Sequence, residues 1–240
     1  MKVLIPAAGM LSPPRSNFLD TSVSSKSSTT IPERIAVPKR VDHEERRRQI
    51  GEALLRIASA RGLQSASLRE VAAEAGVSLR LVQYYFHTKE ELLLTALAYL
   101  GERLATRVES HIRALGPVTP RNVVYGTLTA ILPTDAESLD LTRAYTGYYT
   151  LVFTDPDLAT RHGAAYPDKV ERLLAGQLTA AQQADQIDTT LNPATTAAGL
   201  LALTNGLGSS VLGGQRDGAA ALRILTDHID RLFKHGPNRP

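Results

Sequence analysis

Apolar residues recur every three to four positions through nearly all of the chain after Asp42, the period of helices that bury one face. Ile50, Ala53, Leu54, Ile57 and Ala58 set that rhythm in the first helix, with Arg46, Arg47, Arg48 and Arg56 elsewhere around the cylinder, and Gly62 ends it. Ser67 and Glu70 form an S-x-x-E capping box that opens LREVAAEA, with Leu68, Val71, Ala72 and Ala75 inward. Gly76 then allows a tight turn. Ser78 can cap a short third helix, LRLVQYYF, and Thr88 with Glu91 reads as a second box starting a long helix from Lys89 to about Leu115. Leu93, Leu97, Leu100, Leu104 and Val108 run down one side of that helix.

The same punctuation continues to the C-terminus. Pro120 starts a helix that stops at Pro133, and Asp135 caps Ala136 to Phe153. A short helical turn around Leu158 to His162 precedes a helix from Asp168 to Ala184. Asn192-Pro193 opens the penultimate helix, and Asp217 caps the last, Ala219 to Lys234. The fold class is therefore all-α with about nine helices, divided into a tail (1–41), a head (42–90) and a body (91–240).

The third helix is unusual. In a chain with only eight Tyr, four Phe and no Trp, it sets Tyr84, Tyr85 and Phe86 side by side. On a wheel of about 100° per residue, Arg80, Gln83 and Tyr84 share one arc with Leu79, while Val82 and Phe86 fall on the apolar arc and Tyr85 on the boundary. Helix, glycine turn and short second helix make a helix-turn-helix, whose second helix enters the DNA major groove. Arg80 can donate two hydrogen bonds to guanine and Gln83 can pair with adenine, while Tyr84 offers a ring and a hydroxyl. Ser67, Ser78, His87 and Lys89 cluster at helix ends, where phosphate oxygens find free N–H groups, hydroxyls and cations. A core helix whose aromatics merely pack is the alternative that spacing leaves open.

Charge supports a polyanion partner at one end. Residues 1–40 carry six Lys/Arg against two Asp/Glu, residues 41–89 eight against six, and residues 90–240 thirteen against sixteen. The first 41 residues, rich in Ser, Thr and Pro, read as a disordered basic tail, and their opening apolar run stops at Pro6, too short for a signal sequence. The absence of cysteine excludes disulfides and thiol chemistry. No nucleotide-binding, zinc-protease or serine-hydrolase motif occurs, and the six histidines show no i, i+4 pair for a metal. Neither an enzyme nor a cofactor is expected.

Residues 44–92 resemble the DNA-binding domain of the TetR family of bacterial transcriptional regulators, through LREVAAEAGVS, the YYF cluster and TKEEL. The resemblance implies a cytoplasmic homodimer that binds a double-stranded operator through a three-helix head and senses a small organic effector through a helical body, most often as a repressor. It places base and phosphate contacts on Arg69, Ser78, Leu79, Arg80, Gln83, Tyr84, Tyr85 and Lys89. The sequence departs from the commonest form at Arg80, Leu81 and Gln83, where Gly, a small polar residue and Tyr are frequent, so an operator sequence cannot be transferred. A helical scaffold or enzyme-like protein that keeps a DNA-binding head without ligand response is the alternative.

Two features of the body fit that picture. Residues 189–215 carry no charge but are too polar for a membrane span, and no membrane association is expected. Ala194, Ala198, Ala202, Gly206 and Ser210 form a small-residue stripe on the penultimate helix, flanked by Leu200, Leu203, Leu207 and Val211. Leu222, Leu225, Ile229 and Leu232 of the last helix supply a ridge, and two such helices per subunit would make a four-helix dimer interface. For the effector, Tyr145, Tyr148, Tyr149 and Phe153 lie along one helix, with Tyr125, His162 and Tyr166 on neighbouring segments; plain core is the other reading of each.

Overall fold

A computed structural model of the chain describes residues 39–63, 66–154, 160 and 167–233. The expected tail up to residue 38, most of the turn at 158–162, and the pocket candidates His162 and Tyr166 lie outside the described residues. Nine helices are present among the described residues: α1 (Lys39–Arg61), α2 (Leu68–Ala75), α3 (Leu79–Tyr85), α4 (Lys89–Ala114), α5 (Pro120–Ile131), α6 (Ala136–Thr154), α7 (Pro167–Gln183), α8 (Pro193–Leu212) and α9 (Gly218–Phe233). Helix α1 begins at Lys39, so residues 39–41 are helical rather than tail.

Local signals account for the helix ends. The Ser67–Glu70 box is closed in both directions. Gly76 sits at φ 66° and its N–H, followed by that of Val77, caps the last carbonyls of α2, a left-handed conformation that glycine adopts without a Cβ penalty. Thr119, Asp135, Asn192 and Asp217 each accept a backbone N–H at the start of their helices. The box at Thr88 is half built. Thr88 accepts from the Glu91 N–H, but the Glu91 carboxylate accepts from the His87 N–H instead of returning to Thr88.

Helices α1 to α4 enclose one apolar core around Ile50, Leu54, Ile57, Val82, Phe86 and Leu92, all nearly inaccessible. Burying Phe86 there contributes about 1.5–3 kcal/mol. The head is not a self-contained core, however. Leu141, Ala144, Tyr148 and Val152 of α6 belong to the same cluster, and an added Cβ on Gly147 would lie 3.5 Å from the Leu63 backbone nitrogen. The boundary expected at residue 90 therefore cuts through a shared core. A second cluster joins α5, α7, α8 and α9 through Leu128, Leu174, Leu178, Leu200, Leu225 and Ile229. A third links Leu104, Val108 and Ile112 of α4 to Val123 and Ala130 of α5. There α4 and α5 approach so closely that a Cβ on Gly126 would meet the Ile112 backbone nitrogen at 3.0 Å.

The second cluster corrects part of the expected subunit interface. Leu207, Leu225 and Ile229 are buried within the chain's own core, so they fill α8 and α9 against α5 and α7 rather than facing outward. Leu203, Val211, Leu222 and Leu232 are half-buried against the same cluster, and Ala198 and Ser210 are half-buried too. Ala202, Gly206 and Ile224 remain on the surface. Ile224 was not anticipated. The core consumed the larger residues because an amphipathic ridge looks the same in sequence whether its partner belongs to the same chain or another.

Candidate nucleic-acid interface and effector cavity

Helix α3 is short and would be marginal alone, so its anchoring decides how well it can present side chains. Val82 and Phe86 fix it from below, both fully buried. Above them Arg80 and Gln83 are exposed, Tyr84 is 67 % exposed, and Tyr85 is half-buried at the boundary. Leu79 packs partly against the head core, so its side chain is shared between core and surface. The His43 ring meets Tyr85 edge-on with centroids 4.6 Å apart, and Tyr85 meets Tyr84 in the same way at 5.2 Å. The three rings form one aromatic ridge along the exposed end of α3.

Around this ridge lie the helix ends. Arg69, Lys89 and His87 are exposed, and none of the ion pairs among the described residues engages Arg69, Arg80 or Lys89. Ser78 accepts the Leu81 N–H through its hydroxyl oxygen, which leaves its own proton to donate. Ser67 differs. Its hydroxyl donates to the Glu70 carboxylate, which also takes the Ser67 N–H, so this serine is committed to the cap. Those two bonds also hold the Glu70 carboxyl below its ordinary value.

Sequence reasoning missed the group that locks α3 in place. Arg47 of α1 has a side chain only 15 % exposed. It donates to the Tyr85 carbonyl at 2.6 Å, lies 4.5 Å from the centre of the Phe86 ring, and pairs with Glu91 at 3.3 Å. Partial burial would raise the Glu91 carboxyl, but the His87 N–H and Arg47 outweigh it and hold the group below its ordinary value. Gln49 donates to the Ala75 carbonyl and Arg56 pairs with Glu74, so three α1 side chains clasp the helix-turn-helix. These partners are 18 to 44 residues apart in sequence. No local pattern reveals them.

In the body, a cavity of about 440 Å³ opens beside α6. Tyr145, Tyr149 and Phe153 form one wall, with the Tyr149 and Phe153 rings stacked at 6.1 Å. Buried Leu104, Leu141, Leu201 and Thr204 make the floor, and Thr146, Thr150, Asn205 and Ser209 stand at the rim. Two expected pocket residues are elsewhere. Tyr148 turns away from the cavity and fills the head core, where burial pushes its hydroxyl pKa up. Tyr125 bridges α5 to α9, its hydroxyl 3.2 Å from that of Thr226 and its ring beneath Arg121. The contribution of Leu201, Thr204, Asn205 and Ser209 from α8 was missed, because that helix was read only for its small-residue stripe and the apolar residues beside it.

Beside the cavity, Arg107 of α4 is almost fully buried and reaches the loop before α6. It donates to the Ala130 carbonyl, to Asp135 and to Glu137. Against the opposing effect of burial, the Ser138 N–H and Arg107 depress the Asp135 carboxyl to about 2. Among the described residues, no group of side chains could hold a metal ion, and no helix is long and apolar enough to cross a membrane.

Comparison with known proteins places both parts in one family. Residues 50–96 match the family model for bacterial regulatory proteins of the tetR family, and residues 120–234 match that for the C-terminal part of BetI-type transcriptional repressors. The chain belongs to the TetR family of bacterial transcriptional regulators. It is 36 % identical over 115 residues to the HTH-type transcriptional regulator PksA of Bacillus subtilis, a stretch covering 47 % of this chain and 55 % of PksA. It is also 36 % identical over 76 residues to the regulator BetI of Yersinia pestis, covering 32 % and 38 %. The chain thus spans about half or less of the length of these curated relatives. Solved structures match more completely. A transcriptional regulator from Rhodococcus superposes with a TM-score of 0.68 at 26 % identity, covering 81 % of this chain and 99 % of that one. A TetR-family member from Streptomyces coelicolor gives 0.56 at 28 %, covering 76 % and 97 %. These relatives are regulators rather than enzymes.

Proposed function

We propose that the protein is a dimeric DNA-binding regulator whose grip on a pseudo-palindromic operator is released by a small organic effector bound beside α6. The observation that carries this reading is the two-sided use of α6. Ala144, Tyr148 and Val152 sit in the head core, Phe153 lines the cavity, and Leu141, Tyr145 and Tyr149 touch both. Any ligand that displaces α6 to enter that cavity must repack the core on which α1 and α3 rest, because packed cores shift between discrete arrangements rather than deforming smoothly. The effector then changes DNA affinity only by the difference in its affinity for the two arrangements.

On the DNA side, Arg80 and Gln83 read bases, Tyr84 and Tyr85 contact the backbone or a thymine methyl, and Arg69, Ser78, His87 and Lys89 hold phosphates. Repression is the sense carried by the BetI-type family model. Regulation without ligand response is the second reading. It is favoured only if the cavity is permanently closed, which its size and exposed rim argue against.

Fluorescence anisotropy with an operator selected from random DNA, run with a small-molecule library, tests the proposal. Thr146→Trp, placed on the exposed rim, should keep operator affinity within about twofold and abolish the response to any effector found. Equal effector response in wild type and Thr146→Trp would move the sensing site away from α6.

A further inference from the structure

We propose, resting on the effector reading above, that the cavity selects neutral ligands that combine an apolar, flat body with a hydrogen-bond donor at one end. None of the described residues lining the cavity carries a formal charge. A charge brought onto such a floor would lose its hydration without a partner, which is costly enough to exclude carboxylates and ammonium groups alike.

The aromatic residues do not reverse this for a quaternary ammonium ion. Tyr145, Tyr149 and Phe153 succeed one another along a single face of α6, and the last two rings are tilted by only 27°. That is a wall for a planar or chain-like apolar body, whereas a cation is best held by ring faces converging on it.

The donor preference follows from where the hydroxyl protons go. Thr142 donates to the Ser138 carbonyl at 2.7 Å, Thr150 to Thr146 at 2.9 Å, Thr204 to Leu200 at 2.9 Å and Ser209 to Asn205 at 3.0 Å. Each of these four hydroxyls spends its single proton on its own helix and keeps oxygen lone pairs for a ligand, whereas Asn205 at the rim carries an amide that both donates and accepts. Thr204 is the deepest of these, 1 % exposed on the cavity floor. A phenol, alcohol or N–H group can donate to that oxygen at once. At this floor position a ligand acceptor would have to pull the hydroxyl away from the Leu200 carbonyl, leaving a helix carbonyl without that bond.

A matched set of biphenyls separates these claims: 4-phenylphenol, its methyl ether, biphenyl-4-carboxylate and 4-biphenylyltrimethylammonium. Isothermal titration calorimetry on the full chain, paired with operator anisotropy, should show 4-phenylphenol binding at least fivefold tighter than the ether. Both charged members should bind at least tenfold more weakly than the phenol. In Thr204→Val, the advantage of the phenol over the ether should fall to within twofold, with unchanged melting temperature showing that the variant folds. A charged member binding as well as the phenol overturns the neutral class, and an ether equal to the phenol in wild type overturns the donor claim. If no member binds at millimolar concentration, the proposed ligand class is wrong. The effector reading itself fails separately, if members bind in the cavity and operator affinity does not change.

Discussion

Replacing Arg47 with Ala should loosen α3 without altering the exposed side chains that it presents. The substitution removes a charged hydrogen bond to the Tyr85 carbonyl, worth about 1.5–3 kcal/mol, and a stacked guanidinium on Phe86, worth ~0.5–2 kcal/mol. The pairing with Glu91 adds little after screening, because that carboxylate is 36 % exposed. Overlap between these effects leaves an expected loss of roughly 2–4 kcal/mol, or a melting-temperature drop of roughly 4–16 °C for a domain of this size. Arg47→Lys keeps the charge but not the planar fork and should recover less than half. The assay is urea unfolding followed by circular dichroism at one fixed protein concentration, with operator affinity measured in parallel. Affinity should fall on operator and scrambled DNA together, since the whole helix is loosened. Glu91 supplies an internal check. Its folded-state pKa lies below the ordinary value of 4.5, so its contribution is present above that pH and lost as pH falls through the folded value. Arg47→Ala should flatten this acid-side loss. A stability change below about 0.5 kcal/mol, in the range of ordinary surface substitutions, would refute the clasp.

Arg80→Ala should lose about 1–3 kcal/mol mainly on the preferred operator and relax choice at one position per half-site, whereas Lys89→Ala should weaken all DNA similarly and flatten the salt slope by about one per site; anisotropy at several salt concentrations checks both. Gly126→Ala should destabilise the body by ~1–3 kcal/mol or more by calorimetry, because its Cβ would press on the Ile112 backbone rather than on a movable side-chain tip. A Cβ on Gly206 would meet nothing within 4 Å inside the chain, so Gly206→Leu should not lower the melting temperature of isolated protomers and should weaken dimerisation in analytical ultracentrifugation. Burial, followed by the nearby Arg107 charge, depresses the His111 pKa below 6.5, so stability should decline as pH falls through 6.5 toward the folded value; His111→Gln should remove that slope in urea titrations across pH 5–8.

The helix boundaries and the outward set of α3 were legible because both depend on neighbours in sequence. Ser67, Ser78, Asn192 and Asp217 cap the helices they precede, and Phe86 faces inward while Tyr84 faces out, as the wheel requires. Reach across the fold was not legible. Arg47 reads as one of three consecutive surface arginines, and only the position of Tyr85 and Glu91 opposite α1 turns it into a clasp. The Tyr148 and Tyr149 pair shows the same limit within one helix. Adjacent tyrosines sit about 100° apart, so one fills the head core and the other the cavity wall. Composition cannot say which.

The central claim, that filling the cavity beside α6 repositions the DNA-reading heads, is open to one direct measurement. The chain contains no cysteine, so Ala73→Cys, on the exposed side of α2, gives a single spin-label site per protomer. Double electron–electron resonance then reports the separation between the two heads of a dimer. With operator bound, the distribution should be narrow and consistent with recognition helices about 34–36 Å, or a multiple of that, apart. Adding an effector that releases the operator should shift the distribution by several ångströms in the wild type and not in Thr146→Trp. An unchanged distribution at effector concentrations that release the operator would contradict the account.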